Sequence, residues 1–139
     1  MIHDQSLLDY LSALRAEPFN GNVFRATRLD ADPTAPSVSG GRWSPAPDET
    51  SNLFTLYTSL DRDGAIAEVA SLLASLTPVP GPRHIKVATL SVSTSETVRL
   101  TREELEVLGV DFMRYGERDY LPTQKIGSAL AWLGWDGTG

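Results

Sequence analysis

The chain has 139 residues, enough for one domain with its own core, and it carries no cysteine, which excludes disulfides, thiolate catalysis and cysteine-ligated metals. Its formal net charge of −6 disfavours general binding to nucleic acid, yet leaves room for a small molecule whose phosphates one or two arginines can hold. No apolar run approaches the roughly 18 residues of a membrane span, and His3 and Asp4 precede any apolar stretch, so no signal peptide is read. A soluble, cytoplasmic protein is expected.

In chain order, Leu7, Leu8, Leu11 and Leu14 recur at helical spacing behind Asp4, a natural N-cap, and Pro18 and Gly21 are expected to end that helix. "NVFRATRL" alternates, with Phe24 and Ala26 on one face and Val23, Arg25 and Thr27 on the other, and predicts a strand. Residues 30–52 form a long Pro-, Ser-, Gly- and Asp-rich loop, of a length that is usually functional or disordered. "LFTLYTS" predicts a strand with Tyr57 near its end. Asp61 or Asp63 then caps a helix, "GAIAEVASLLASL", stopped by Pro78, Pro80 and Pro82. "RHIKVATLSV" and "ETVRL" predict two more strands. "TREELEVLG" predicts a short helix with a Thr101–Glu104 capping box. "DFMRYGERDY" reads as irregular, and "PTQKIGSALAWLG" as a last helix burying Ile126, Ala129, Leu130 and Leu133. Asp136-Gly137 is a turn signal that ordinarily leads into another strand, so the expectation is either a frayed tail or the loss of a final strand. The sequence shows neither a repeat nor a domain linker.

Four features carry possible chemistry, each beside a plainer alternative. On a helical wheel Ile66, Val69, Ala70 and Leu73 form the core stripe, which leaves Glu68 near Ser71 on the polar side. Glu68 is there either a solvated surface acid or, among small neighbours, a carboxylate that stabilises developing positive charge. Arg25 is either half of a surface ion pair or a rigidly mounted phosphate clamp. Gly40-Gly41-Arg42-Trp43 is a glycine turn with an aromatic tucked into the core, or a loop whose backbone and arginine meet phosphates. Tyr57 is an ordinary strand aromatic or a platform for a flat ring. His3 and His84 lack metal-ligand spacing, and phosphate-loop, dinucleotide-fold and nucleophile-elbow motifs are absent. Asp48, Glu49, Asp61 and Asp63 read as solvated or capping acids.

Taken in order, "FRAT" around Arg25, "GGRW" at 40–43, "LYTSLD" at 56–61 and "AIAE" at 65–68 resemble the RES domain family. The resemblance runs from about Val23 onward, and "LPTQKIGSALAWLGWDG" resembles the family's terminal helix and following turn. It implies an α+β fold like that of ADP-ribosyltransferases, with small, mostly antiparallel sheets around a central cleft flanked by helices. Residues 1–139 would form one RES-like domain lacking the family's last strand or strands, and with them the serine that helps name the family. Family members include bacterial toxins that consume NAD by hydrolysis or phosphorolysis of the nicotinamide–ribose bond, and some transfer ADP-ribose to protein. Their usual partner is a helix-turn-helix antitoxin.

Carried over residue by residue, the resemblance assigns catalytic roles to Arg25, Tyr57 and Glu68, and cofactor binding to Gly41, Arg42 and Trp43. Ser44 stands where the family commonly has asparagine. NAD is then the substrate, with no metal, no direct nucleic-acid contact and no membrane association. The expectation is that the side chains at 25, 42 and 68 line one pocket sized for a dinucleotide. Two other readings accompany it: a protein ADP-ribosyltransferase, and a non-catalytic module that binds a cognate antitoxin.

Overall fold

The computed structural model describes residues 3–45, 55–74, 78, 84–114 and 120–138. Helix α1, Gln5–Ser12, begins as its sequence predicts, with the Asp4 carboxylate accepting the Ser6 amide at 2.7 Å. Strand β1, Ala16–Arg28, begins earlier than the alternation suggested and runs through Pro18 and Gly21, which were expected outside it. Proline is compatible with that position because β1 is an edge strand of the order β1-β2-β3 and Pro18 is exposed.

The expected "LFTLYTS" strand is not regular. Its described part makes isolated antiparallel bridges, Ser37 with Thr55 and Phe24 with Ser59, while Leu53 and Phe54 lie outside the described residues. Helix α2, Arg62–Ala74, is capped by Asp61, whose Oδ1 accepts the Gly64 amide at 2.6 Å. It ends before Pro78; Pro80, Pro82, Asp48 and Glu49 lie outside the described residues.

Strand β2, Ile85–Val98, is one continuous strand where two were expected. Exposed Ser91, Ser93 and Ser95 alternate with half-buried Val92 and Thr94, so the period of two persists through the serine-rich stretch and nothing breaks the strand. Helix α3, Arg102–Val107, carries the predicted capping box. Thr101 Oγ1 accepts the Glu104 amide and Glu104 Oε2 accepts the Thr101 amide, each at 3.2 Å. A single 3₁₀ turn follows at Phe112–Arg114, and Tyr115–Asp119 lie outside the described residues. Helix α4, Leu121–Trp132, buries Ile126, Ala129 and Leu130 as predicted, and Leu133 packs against the same core.

Asp136-Gly137 is not a hairpin turn. Gly137–Thr138 form a short strand, β3, which pairs in parallel with β2, Thr97 opposite Gly137 and Val98 opposite Thr138. The Asp136 carboxylate accepts the Ser95 and Glu96 amides at 3.0 and 2.9 Å, and its own amide donates to Glu96 O at 3.1 Å. The sheet is therefore mixed, in a small α+β fold. The stretch through α3 and α4 is long enough to bring the chain back beside β2 in the same direction.

The described chain divides into two compact units. The first draws on Met1–Phe19, Ser37–Thr55 and Thr94–Gly139, the second on Asn20–Pro36 and Leu56–Ser93. In the first, α1 packs on α4, and Leu11, Val98, Leu100, Leu105, Val110, Ile126, Ala129 and Leu130 form the core. In the second, the buried apolar residues among those described are Val23 and Ala65.

Candidate functional site

In the second unit Arg25, Tyr57 and Glu68 line one cleft of about 110 Å³, together with Ala65, Val69 and the backbone partners Phe24 and Ser59. The bridge between those two partners, with both N–H···O bonds at 2.8 Å, fixes the segment carrying Tyr57 beside the strand carrying Arg25. Helix α2 supplies the wall opposite in sequence, through Ala65, Glu68 and Val69. These positions are three and four apart and share one helical face.

The wheel had set Glu68 away from the core stripe. In the structure Ala65 is the buried residue of that face, at 3% exposure, Ala70 is exposed, and Glu68 is an exposed carboxylate on the rim beside Ala65 and Val69. The wheel's solvent-side placement of Glu68 holds, and Ile66, Val69 and Leu73 of its stripe are half-buried; it missed that Ala65 is the residue α2 buries, because the helix is small-residue-rich and weakly amphipathic.

Arg25 is half-buried and held from one side. Its Nη1 donates to the carbonyl oxygens of Pro33, at 3.0 Å, and Ala35. The edge formed by Nε and Nη2 makes no hydrogen bond to a described residue. That is the edge with two parallel N–H groups, and Arg28 uses the same edge on Asp30, at 3.1 and 2.9 Å. The salt bridges among the described residues are Arg15–Glu17, Arg28–Asp30 and Arg102–Glu106, so Arg25 and Glu68 line the cleft without an ion pair to each other or to a third side chain. A guanidinium held on one side and an exposed carboxylate thus line the same cleft.

Gly41, Arg42 and Trp43 belong to the first unit, and their loop rests on α4. Gly40 takes a positive φ of 84°, which the turn into the loop requires. The Gly41 amide donates to Ser44 O at 2.8 Å and closes the turn. Gln124 Nε2 donates to Gly41 O at 2.9 Å and reaches Ser44 O at 3.5 Å, and Thr123 Oγ1 donates to Arg42 O. Trp43 O lies 1.9 Å from where a Cβ on Gly127 would be, so only glycine permits the approach. The Arg42 guanidinium carbon sits 4.8 Å from the centre of the Tyr120 ring. Trp43 packs partly buried against the core, as the plainer reading of the loop had it.

Tyr120, Thr123, Gln124 and Gly127 were missed as parts of a site. The available signal was Gly127, since glycine inside a helix costs about 1 kcal/mol relative to alanine and usually marks a close backbone approach. Among the described residues no group of three or more His, Asp or Glu is placed to hold a metal, and no helix is long and apolar enough to cross a membrane.

The sequence profile of the RES domain matches residues 14–137. No curated protein matches the chain. Among solved structures, a chain of the crystal structure of the M. tuberculosis MbcT–MbcA toxin–antitoxin complex is similar with a TM-score of 0.77. The match covers 97% of this chain and 75% of that one at 21% sequence identity, a likeness of fold.

Proposed function

Because the chain belongs to the RES domain family, we propose that it is the toxin of a toxin–antitoxin pair and that it consumes NAD by cleaving the nicotinamide–ribose bond on an ADP-ribosyltransferase-like scaffold. The observation that supports this most is the convergence of Arg25, Tyr57 and Glu68 on one cleft. Its volume of about 110 Å³ is well below the roughly 300–1,000 Å³ of sites that enclose a whole small molecule. It suits a single ring or sugar, the part of NAD where the bond breaks.

In this reading the pyridinium nitrogen takes the bonding pair, nicotinamide departs neutral, and positive charge develops on the ribose. No strong acid is required, so the protein's contribution is position and electrostatics. Glu68 faces the anomeric side, hydrogen-bonds ribose hydroxyls and offsets the charge. Tyr57 packs against the nicotinamide or its ribose. Arg25 offers its Nε/Nη2 edge to the pyrophosphate, and the family resemblance gives Arg42 a phosphate-binding role of its own, with Gly41 and Trp43 shaping the loop that carries it. Water or phosphate then adds to the sugar with loss of a proton.

Purified protein incubated with NAD, with and without phosphate, should release free nicotinamide. Glu68→Gln should lower that rate by about a hundredfold or more, the usual cost of removing one aimed electrostatic group. Undiminished turnover in Glu68→Gln refutes the role. Because Glu68 is exposed on the rim, a protein side chain has access to the same sugar, which favours a second reading as a protein ADP-ribosyltransferase. Label transferred from NAD to protein, in place of free ADP-ribose, distinguishes it. The proposed partner is a helix-turn-helix antitoxin, tested by co-purification. Binding of such a partner with no NAD turnover would instead identify a non-catalytic module.

A further inference from the structure

The carbonyl groups of four successive loop residues, Gly41 to Ser44, all turn toward one face of α4. Gly41 and Ser44 are met by Gln124, Arg42 by Thr123, and Trp43 by the bare Cα of Gly127. Thr123 is 4% exposed and also reaches Tyr120 O at 3.1 Å, so its hydroxyl bridges the loop and the first turn of the helix. Tyr120, at the start of that turn, carries the ring beneath the Arg42 guanidinium. Thr123 therefore holds the carbonyl of Arg42 and Gln124 those of Gly41 and Ser44 on either side, while the residue just before that turn stacks against the Arg42 side chain.

A buried threonine and a partly buried glutamine are not needed to fill this space, since apolar residues of the same shape would do so. Their hydrogen bonds instead fix where a backbone lies, and a guanidinium on that backbone meets a phosphate well only if the loop does not drift. We propose that Thr123 and Gln124 are positioning residues that set the Gly41–Ser44 loop and thereby the affinity of Arg42 for the diphosphate of a nucleotide. The inference rests on the phosphate-binding role given to Arg42 above, and not on the bond-breaking step.

The test measures ADP-ribose binding by titration calorimetry, alongside NAD turnover and thermal melting, in wild type, Thr123→Val, Thr123→Ser and Gln124→Leu. Valine keeps the shape of threonine and removes the hydroxyl. Thr123→Val and Gln124→Leu should each weaken ADP-ribose binding by about five- to tenfold, the range expected for one lost hydrogen bond. In an active enzyme KM should rise by a similar factor while kcat changes little. Thr123→Ser should restore affinity. Wild type that binds ADP-ribose but does not turn over NAD refutes the NAD-cleaving reading and leaves this inference standing if Thr123→Val weakens binding. Equal affinity in wild type and both hydroxyl- and amide-deleted variants overturns the inference, as does a wild type that does not bind ADP-ribose. A Thr123→Val protein with a lowered melting temperature but unchanged affinity assigns the hydroxyl to stability alone and overturns it too.

Discussion

Arg25 does two things with one guanidinium. Nη1 ties down the carbonyls of Pro33 and Ala35, and the Nε/Nη2 edge remains turned to other work. Lysine cannot reproduce this division, because its ammonium is a point charge without a planar fork. Arg25→Lys should lower kcat/KM for NAD by about tenfold or more and should increase proteolytic cleavage between Asp32 and Ala35. Unchanged kinetics with a loosened loop would make Arg25 a structural anchor alone. That Arg25 sits in a strand was readable from the alternation around it. Its tie to Pro33 and Ala35 was not, because carbonyl acceptors leave no mark in a loop's composition. Asp136 illustrates the same limit. It reads locally as a turn residue, yet its partners, the amides of Ser95 and Glu96, lie about forty positions upstream. Those two amides hold its carboxyl below the ordinary carboxylate value of 3.8. A depressed folded-state value means that its stabilising effect is present above the unfolded value and is lost as pH falls through the folded one. Melting temperatures measured from pH 5 downward should therefore fall more steeply below about pH 3.8 in wild type than in Asp136→Asn.

At the scale of elements, α4 combines two kinds of surface. Its apolar stripe of Ile126, Ala129 and Leu130 was legible from spacing alone, and the core forms on it. Its polar positions Thr123, Gln124 and Ser128 were not, since a threonine or glutamine in a helix is ordinarily a solvent-facing residue and the loop that claims the first two is some eighty positions away. Gly127→Ala decides between two opposing effects. Helix propensity favours alanine by about 1 kcal/mol, whereas the added methyl would meet Trp43 O at 1.9 Å and Trp43 C at 2.9 Å, both backbone atoms. Overpacking of this kind costs about 1–3 kcal/mol, so the substitution should destabilise the protein on balance. Urea unfolding monitored by circular dichroism measures it, and a stabilised Gly127→Ala would show that the loop does not press on the helix. The strands were legible in kind and less so in extent. Prediction split β2 at a serine run that in fact keeps its alternation, and started β1 too late because Pro18 is usually a boundary and here occupies an edge.

At the scale of the molecule, buried apolar surface is unevenly shared among the described residues. The first unit holds the cluster around α1, α3 and α4, while among the described residues of the second only Val23 and Ala65 are buried apolar residues. Low density of buried apolar contacts goes with low local opening energy. Hydrogen exchange should therefore show the amides of Lys86–Leu90 exchanging faster than those of Ile126–Leu130. Equal protection in both would indicate that the chain opens only as one cooperative body. A lightly packed home for Arg25, Tyr57 and Glu68 suits the ligand entry and release that the proposed function requires of them. The family's motif pieces announced those three residues together, whereas the split into units was invisible, because each unit is assembled from segments interleaved along the chain and no linker separates them.

That interleaving has a consequence during synthesis. The segments of the second unit are complete once Ser93 has been made, but the Gly41–Ser44 loop waits for Thr123 and Gln124, 80 to 83 positions later. At roughly 5–20 residues per second this delay is on the order of ten seconds. While the ribosome is still at work, a nascent chain can shape the Glu68 cleft before the Gly41–Ser44 loop meets its hydrogen-bond partners on α4.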